Sequence, residues 1–386
     1  MNQNPRATRA DAASIRQQNE LVVVSSLRAR GAQRISAIGR DTGLTPATVG
    51  QVLLSLEDKG WVESSAPARG VPGRPAQMYG LRQPDASVVG IDVGARVTRA
   101  VRLDLGGVEQ GRSEHRLLRT AGLAERRAAV VAALRDVGAP TADVWLTTLA
   151  IGGHLDHDGT IVRSVALPIF DGQHPYSLFG DLLPTYPQVV NDVRAATYAE
   201  QRVGVAREYR HVLLANLGRR PTLGTLIHGS PWAGAHGTAG DMSLNMSLPS
   251  AEEMDWIAPF ADDADPLGAA VAAALAGDQR VVEGAREYFT SITPTLAVAA
   301  AVVDPEVFVL AGALTPLVSD FLGPFSKHLA EHMQQPPQVL QSTLDQFAAA
   351  HGAALEAVST IETTLASPEN GVAPLAREAL AERLEK

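Results

Sequence analysis

One stretch constrains this chain more than any other: residues 34–60, RISAIGRDTGLTPATVGQVLLSLEDKG. Gly43 interrupts it at a point where a positive φ is needed. Thr45 followed by Pro46 is a strong helix start, with threonine as the N-cap and proline at the first helical position. Apolar residues recur at helical spacing on both sides of the break: Ile35, Ile38, Val49, Val52, Leu53 and Leu56. The stretch therefore predicts two short helices joined by a tight turn.

The second helix of this pair leaves small and polar residues opposite its apolar side, at its N-terminal end. In a helix-turn-helix that end enters the major groove, where small side chains allow close approach and Thr48 and Gln51 can hydrogen-bond base edges. The candidate DNA-contacting residues are Thr45, Pro46, Ala47, Thr48 and Gln51. An ordinary helical hairpin has the same local pattern and is the alternative.

The residues after this pair predict a β-hairpin with a basic tip. Residues 61–63 and 77–81 are strand-like, and the Gly- and Pro-rich loop between them carries Arg69 and Arg74. Arginine on such a tip suits a narrow minor groove. A flexible hairpin with solvated charges is the alternative, but a wing directly after a helix-turn-helix is the better interpretation. We expect a winged helix-turn-helix domain over residues 12–82.

The charge of the chain changes sign after residue 85. Residues 1–85 contain 11 Lys and Arg against 7 Asp and Glu, whereas the remainder contains 22 against 35. A basic segment on an acidic body suits a DNA-binding head on a sensor body. The small positive excess implies few phosphate contacts per head, so we expect a homodimer or homotetramer on a palindromic double-stranded DNA operator.

The composition excludes several classes of protein. The chain has no cysteine, which removes disulfides, thiol catalysis and thiolate metal sites. No apolar run reaches the length of about eighteen residues that a membrane span needs, and the N-terminus lacks a signal-peptide pattern. We therefore expect a cytoplasmic protein with no membrane partner.

The rest of the chain alternates strands and helices in two similar halves. Each half opens with a buried strand that ends at a glycine, at GIDVG (residues 90–94) and at HVLLANLG (residues 211–218). This alternation predicts an α/β body of two lobes with a cleft between them. The expected limits are 87–200 for lobe I, 205–345 for lobe II and 367–386 for a polar tail, with a possible short helix after Pro374.

These motifs together resemble the ROK family of repressors, open reading frames and sugar kinases. The similarity is specifically to its winged-helix transcriptional regulators of the xylose- and N-acetylglucosamine-repressor type. It rests on the order of several segments: TGLTPATVGQVLLSLEDKGWVE, GRP at residues 73–75, GIDVG, LPIFDG, VVNDVRAATYAE, HGTAGD and VDPEVFVLAGAL. The resemblance implies that the body has the bilobal actin-like, ribonuclease-H-like ATPase fold, in which a C-terminal helix over residues 348–364 completes lobe I. It also implies a transcriptional repressor whose body senses a sugar or a related small molecule.

The first phosphate turn departs from the Asp-x-Gly-Gly-Thr pattern of the family's kinases. Here residues 92–96 are DVGAR, with a methyl group and an arginine where glycine and threonine would hold phosphate. The second turn contains Arg219, Arg220 and Pro221, which do not suit a backbone cradle. Those arginines either lie in a solvated loop or attract an anion. We expect no enzyme activity and no cofactor, with an ATP-dependent sugar kinase as the alternative.

The resemblance also assigns a ligand pocket that is partly kept. The family's catalytic aspartate corresponds to Asp192, preceded by Asn191, and its pocket glutamate corresponds to Asp241. Asp192 is then a vestige of the catalytic base, and capping of a helix is the plainer role for Asn191 or Asp192. Ala166 and Leu244 replace polar pocket residues. A regulator that has lost small-molecule sensing and answers to a protein partner is a further alternative.

The family's zinc site needs one histidine and three cysteines, and this chain has no cysteine. The histidine position is Leu244, so we expect no metal. The predicted ligand-binding residues are therefore Asn191, Asp192 and Asp241, which would bind a sugar or sugar derivative as effector. Ligand that closes the cleft would reorient the DNA-binding heads and weaken operator binding.

Overall fold

The computed structural model of the chain describes residues 5–65, 77–138, 142–242 and 248–384. Its contacts divide the chain into two units. The first, here called the head, joins the residues up to Asp85 with those from Ser359 onwards, and the second, here called the body, runs from Ala86 to Val358. Within the described ranges, no helix has the length and apolar character needed to cross a membrane.

The head begins with three helices and an antiparallel strand pair: α1 (Pro5–Arg30), α2 (Ile35–Thr42), α3 (Pro46–Asp58), β1 (Val62–Ser65) and β2 (Met78–Leu81). The predicted helix-turn-helix is confirmed. Gly43 ends α2 at φ 74°, and its N–H donates to Gly39 O. Thr45 caps α3, because its hydroxyl accepts from the Thr48 N–H at 3.2 Å, and Pro46 begins the helix.

The three helices pack around one apolar core. Its buried side chains include Val23, Val24, Leu27, Ile38, Val49, Val52, Leu53, Leu56, Trp61 and Val62. A buried carboxylate also ties α1 to α3, since Glu20 accepts from Ser55 Oγ and Lys59 Nζ, each at 2.7 Å. Gln33 adds to the strand pair through two backbone hydrogen bonds with Tyr79, both at 2.8 Å. The core and these polar contacts together fix α3 in the head.

The body opens with a five-stranded mixed sheet, which we call the lobe I sheet. Its elements are β3 (Ser87–Val93), β4 (Val97–Asp104), β5 (Glu109–Arg116), α4 (Leu123–Asp136), β6 (Val144–Ile151), β7 (His154–Leu155), β8 (Ile161–Arg163), α5 (Pro175–Phe179), β9 (Pro187–Asn191) and α6 (Asp192–Arg202). The strand order is β5-β4-β3-β6-β9, with β3, β6 and β9 parallel. The almost continuous apolar run of β3 fits its central, buried position.

A second five-stranded sheet follows, which we call the lobe II sheet. Its elements are β10 (Val212–Asn216), β11 (Thr222–Ile227), β12 (Ser230–Pro231), α7 (Pro266–Leu275), α8 (Gln279–Val303), β13 (Val307–Ala311), α9 (Ser319–His332) and β14 (Gln338–Gln341). The order is β12-β11-β10-β13-β14, with β10, β13 and β14 parallel. The predicted α/β body with two similar halves is confirmed, while the residue limits given for each lobe remain predictions.

The last elements are α10 (Ala348–Leu365), β15 (Ala366–Ser367), β16 (Gly371–Val372) and α11 (Arg377–Leu384). The start of α10 packs on the lobe I sheet. Gly90 in β3 lies so close to it that a Cβ atom there would fall 2.1 Å from Ala350 O. The first glycine of GIDVG is therefore required by helix-on-sheet packing, because any side chain would push α10 away.

The segment predicted as a polar tail does contain a short helix after Pro374, which is α11, but as far as residue 384 it packs as part of the head. Val372 and Leu380 are buried. Trp61 Nε1 donates to Ala373 O at 2.7 Å, which satisfies the indole N–H inside the head. The apolar stretch responsible, GVAPLA, is too short to show a helical or strand period, so its burial could not be predicted from the sequence.

Candidate functional site

The N-terminal half of α3 exposes the side that the sequence predicts to contact DNA. Thr45, Pro46, Ala47 and Gln51 are exposed, and Thr48 is half-buried. The Thr45 and Thr48 hydroxyls lie 2.9 Å apart, so each can orient the other. The structure brings these five side chains onto one surface of the head, while the apolar side of α3 faces the core.

Leu54 is a residue of this surface that sequence reasoning missed. Its side chain is 67% exposed, and it follows Ala47 and Gln51 at helical spacing on one side of α3. In the sequence it is hidden inside an apolar run, and only the phase of the helix separates it from the core positions. Two predicted wing residues, Arg69 and Arg74, lie outside the described residues.

A cleft of about 310 Å³ lies in the body at the carboxyl ends of parallel strands. β6 ends just before Gly152, and β9 ends at Asn191, which immediately precedes Asp192. Ligands of open α/β sheets bind at this edge. Asn191, Asp192 and Asp241 all line the cleft, so the three predicted ligand-binding residues do come together.

The sequence left open whether Asn191 or Asp192 caps the helix, and the structure gives that role to Asn191. Asn191 caps α6, because its Oδ1 accepts from two N–H groups of that helix at 3.1 Å and its Nδ2 donates to Gly153 O at 3.1 Å. Asp192 Oδ1 accepts from the Val193 N–H at 2.8 Å. Its Oδ2 lies where a Cβ atom on Gly152 would be 2.9 Å away, so a side chain at that position would displace the carboxylate.

Burial raises the pKa of Asp192 in the cleft and of the neighbouring Asp92. Burial and the nearby Asp192 raise the pKa of Asp92 to about 7, while Arg99, with its guanidinium 3.7 Å from that carboxylate, acts in the opposite direction. Burial also raises the pKa of Asp192, and the charge of Asp241 adds to it, whereas the hydrogen bond from the Val193 N–H lowers it. Asp192 and Asp241, which line the cleft, present acceptor oxygens that suit hydroxyl groups.

Family models match both units of the chain. A MarR family model covers residues 17–68, and a ROK family model covers residues 88–246. The crystal structure of a ROK family transcriptional regulator, a homologue of the Escherichia coli MLC protein, aligns with a TM-score of 0.67 at 16% identity over 96% of this chain and 98% of that chain. The chain carries a MarR-type winged-helix domain and a ROK family domain.

Solved ROK sugar kinases share the fold of the ROK domain. A ROK family glucokinase from Streptomyces griseus, in complex with glucose and AMPPNP, aligns with a TM-score of 0.59 at 20% identity over 70% of this chain and 99% of that chain. A ROK hexokinase from Thermus thermophilus aligns with a TM-score of 0.52 at 19% identity over 70% of this chain and 97% of that chain. No curated protein matches the sequence. At these identities the likeness concerns the fold.

In this ROK domain the first phosphate turn is closed by its own hydrogen bonds. The Gly94 N–H donates to Val97 O at 2.9 Å. Arg126, buried in α4, donates to Gly94 O at 2.9 Å and to Ala95 O at 3.1 Å. Sequence reasoning missed Arg126 because an arginine in a charged helical segment has the same local pattern whether it is solvated or buried.

Sequence reasoning also missed Arg194, which lies near Asp192, and its neighbour Glu356. Arg194 lines the cleft and donates to Gly237 O at 3.1 Å. Glu356 lies in α10, and burial raises its pKa to about 7 while Arg194 opposes this. No local pattern marks either residue, since the two come together only when α6 and α10 pack.

Arg219 and Arg220 of the second turn line the cleft, as does Ala166. Leu244 lies outside the described residues. In the part of the chain that the structure describes, no three His, Asp or Glu side chains are grouped to hold a metal ion. The absence of zinc stays a prediction.

Proposed function

We propose that this protein is a cytoplasmic transcriptional repressor whose ROK domain senses a sugar or a related hydroxylated molecule. The observation that carries the proposal is a winged-helix head with an exposed polar face on α3, in one chain with a cleft that holds Asp192 at its edge. A head of this kind reads DNA through the N-terminal end of its second helix. The cleft supplies a site through which a small molecule can change DNA affinity.

On the DNA side, the proposal gives each exposed residue a role. Thr48 and Gln51 hydrogen-bond base edges in the major groove, and Leu54 contacts a thymine methyl group. The short side chains of Thr45, Pro46 and Ala47 allow α3 to approach the bases, and Arg69 and Arg74 of the wing enter the minor groove. Because one head makes few phosphate contacts, a homodimer or homotetramer on a palindromic operator is required.

On the ligand side, Asp192 and Asp241 accept hydrogen bonds from hydroxyl groups of the effector, and Asn191 holds Asp192 in place through its cap of α6. The buried charge of Asp192 is unfavourable until donors satisfy it, so ligand binding stabilises the closed cleft. The repressor then shifts toward a conformation with lower operator affinity. A ligand shifts this equilibrium only by its difference in affinity for the two conformations.

We further propose that the ROK domain does not transfer phosphate. Support comes from the first turn, where the Gly94 N–H donates to Val97 O instead of pointing at a phosphate group, and the adjacent carbonyls accept from Arg126. A kinase remains the competing function because Asp192 has the position of a general base. Steady-state assays with ATP and a sugar panel separate the two. Turnover that disappears in Asp192→Asn would establish the kinase and refute the sensor without catalysis.

Selection of bound duplexes from a random DNA library tests the DNA-binding function. We expect the full-length protein, at near-physiological salt, to enrich an inverted repeat whose half-sites are separated by whole helical turns. The enriched duplex then serves as a probe for effectors, which should raise the apparent dissociation constant for DNA. No enrichment with or without a sugar panel would contradict the repressor, and an unchanged affinity at saturating ligand would contradict sugar sensing.

A further inference from the structure

The cleft also gathers four arginines from three segments of the body. Arg96 follows β3, Arg119 follows β5, and Arg219 and Arg220 follow β10, and all four line the cleft. They form a group separate from Asp192 and Asp241. The charges acting on Asp192 are those of Asp241 and Arg194, whereas those acting on Arg219 are the three other arginines and Glu252. The cleft therefore has an acidic end and a basic end.

Three of these arginines have carboxylate partners. Glu252 Oε1 lies 3.3 Å from Arg96 and Oε2 lies 3.8 Å from Arg119, so one carboxylate serves two guanidinium groups. Arg220 lies 3.4 Å from the Glu253 carboxylate, which is itself mostly exposed. These long contacts leave the basic end incompletely neutralised, because none of them has the short bidentate geometry of a strong arginine–carboxylate pair.

Arg219 is the exception. Its side chain is half-buried, and among the residues that the structure describes no carboxylate lies within ion-pair distance of its guanidinium. Burial and the positive charge of Arg119 lower the pKa of Arg219, and Glu252 opposes this only in part. A half-buried cation beside other cations is unfavourable unless an anion joins them. The five N–H donors of a guanidinium match the oxygens of phosphate.

We infer that the basic end of the cleft binds the anionic group of the effector, with Arg219 as its principal contact. The effector is then a hydroxylated small molecule that carries a phosphate group, and Asp192 and Asp241 bind its hydroxyl groups. This inference rests on the proposed sensing function and narrows the class of ligand. A cleft of about 310 Å³ is at the small end of ligand sites, so it suits one such molecule better than a nucleotide together with a sugar.

Inorganic phosphate is the first probe. We expect it to raise the melting temperature of the full-length protein in a saturable way that sodium chloride at equal ionic strength does not reproduce. Arg219→Gln should bind phosphate at least tenfold more weakly, equivalent to about 1.4 kcal/mol. Without phosphate, the same variant should melt no lower than the parent, because it removes an uncompensated charge. That second readout separates loss of a binding group from loss of the fold.

Arg207→Gln is the matched control, since Arg207 is an exposed arginine of the body that does not line the cleft. It should leave phosphate affinity unchanged. Equal phosphate binding by Arg219→Gln and the parent would overturn the inference, as would equal loss in both variants. A protein that gains no stability from phosphate would overturn it as well.

Paired ligands then distinguish the sources of the anion. We expect hexose 6-phosphates to bind more tightly than the corresponding hexoses, and Arg219→Gln to abolish the difference. Hexuronates that bind better than hexose phosphates, or ATP that binds better than both, would overturn the phosphorylated-sugar assignment. Neutral sugars that release DNA while phosphate has no effect would sink this inference alone. Failure to select any DNA sequence would sink the proposed function instead.

Discussion

The exposed face of α3 and the cleft of the ROK domain use polar side chains in opposite ways. On α3 the polar residues are short, uncharged and solvated, and the stability of the head comes from the core beneath them. In the cleft, Asp192 and Arg219 are half-buried ionisable groups near a charge of the same sign, and so is Asp92 beside the cleft. A solvated polar surface costs little to maintain, whereas confined like charges lower stability until a ligand compensates them. The head is therefore stabilised by its own core, whereas the cleft contains charges that a bound ligand would compensate.

The largest effect in this comparison should come from packing under the head. Leu380 in α11 is buried, so Leu380→Ala should reduce the free energy of unfolding of the head by about 2–5 kcal/mol through the lost burial and the cavity. Leu384→Ala is the control, because that leucine of the same helix is 48% exposed. Hydrogen–deuterium exchange of the head's backbone amides over a denaturant series measures both. Equal effects of the two substitutions would show that α11 does not stabilise the head.

The body should become more stable when the carboxylate of Asp92, beside the cleft, is removed. The pKa of Asp92 is raised from 3.8 to about 7, so the folded protein holds this proton more tightly than the unfolded chain does. Stability from this group is therefore fully present below pH 3.8 and is lost progressively as the pH rises from there through about 7. We expect Asp92→Asn to melt several degrees higher than the parent near pH 8 and by a smaller margin near pH 5, with the two curves converging only toward pH 3.8.

Thermal melts of the parent, Asp92→Asn and the exposed-site control Asp263→Asn over this pH range provide the measurement. The control should follow the parent. If the Asp92→Asn curve runs parallel to that of the parent at every pH, the buried charge is not a source of instability. The contrast between the cleft and the head surface would then disappear.

A smaller effect is expected on the α3 surface, where the readout is specificity. Gln51→Ala should reduce discrimination at one base position of the half-site by about 1–3 kcal/mol and leave the melting temperature of the protein unchanged. Gln279→Ala tests the same change of side chain at an exposed position of the body. Binding to a set of single-base operator variants measures it. Unchanged preference at all positions would mean that α3 does not present Gln51 to DNA.

The smallest effect should come from the cap of α3. Thr45→Ala removes the hydroxyl that accepts from the Thr48 N–H and should cost about 1 kcal/mol of head stability. Thr45→Ser keeps the hydroxyl and should restore most of the loss. Denaturation of the two variants side by side decides the matter. Equal loss in both would assign the role of Thr45 to its methyl group.

The sequence predicted the α3 surface far better than the cleft, for a physical reason. The Gly43 turn and the Thr45 cap are local, because the residues that form them are neighbours in the chain. The hydrogen bonds from Arg126 to the first turn join residues about 30 positions apart. Arg194 and Glu356 interact electrostatically although more than half of the body's sequence separates them. Such contacts depend on which helix packs on which sheet, and neither spacing nor composition carries that information.

The resemblance in sequence supplied Asn191, Asp192 and Asp241, and the structure brings them into one cleft. It did not separate the cap from the cleft-lining carboxylate, because that distinction depends on hydrogen-bond geometry. Leu54 was missed for the same kind of reason. Apolar residues in a helix face the core or the solvent according to phase, and one residue of shift changes the outcome.

Residues up to Asp85 and residues from Ser359 both belong to the head, so the body lies between two segments of the head in the sequence. This limits how such a regulator can be recombined. A fragment that stops at Asp85 would leave the Trp61 indole without its acceptor at Ala373. Grafting this head onto another sensor therefore requires that both end segments be transplanted together. Replacement of the internal segment alone would exchange the body and leave the head's own contacts intact.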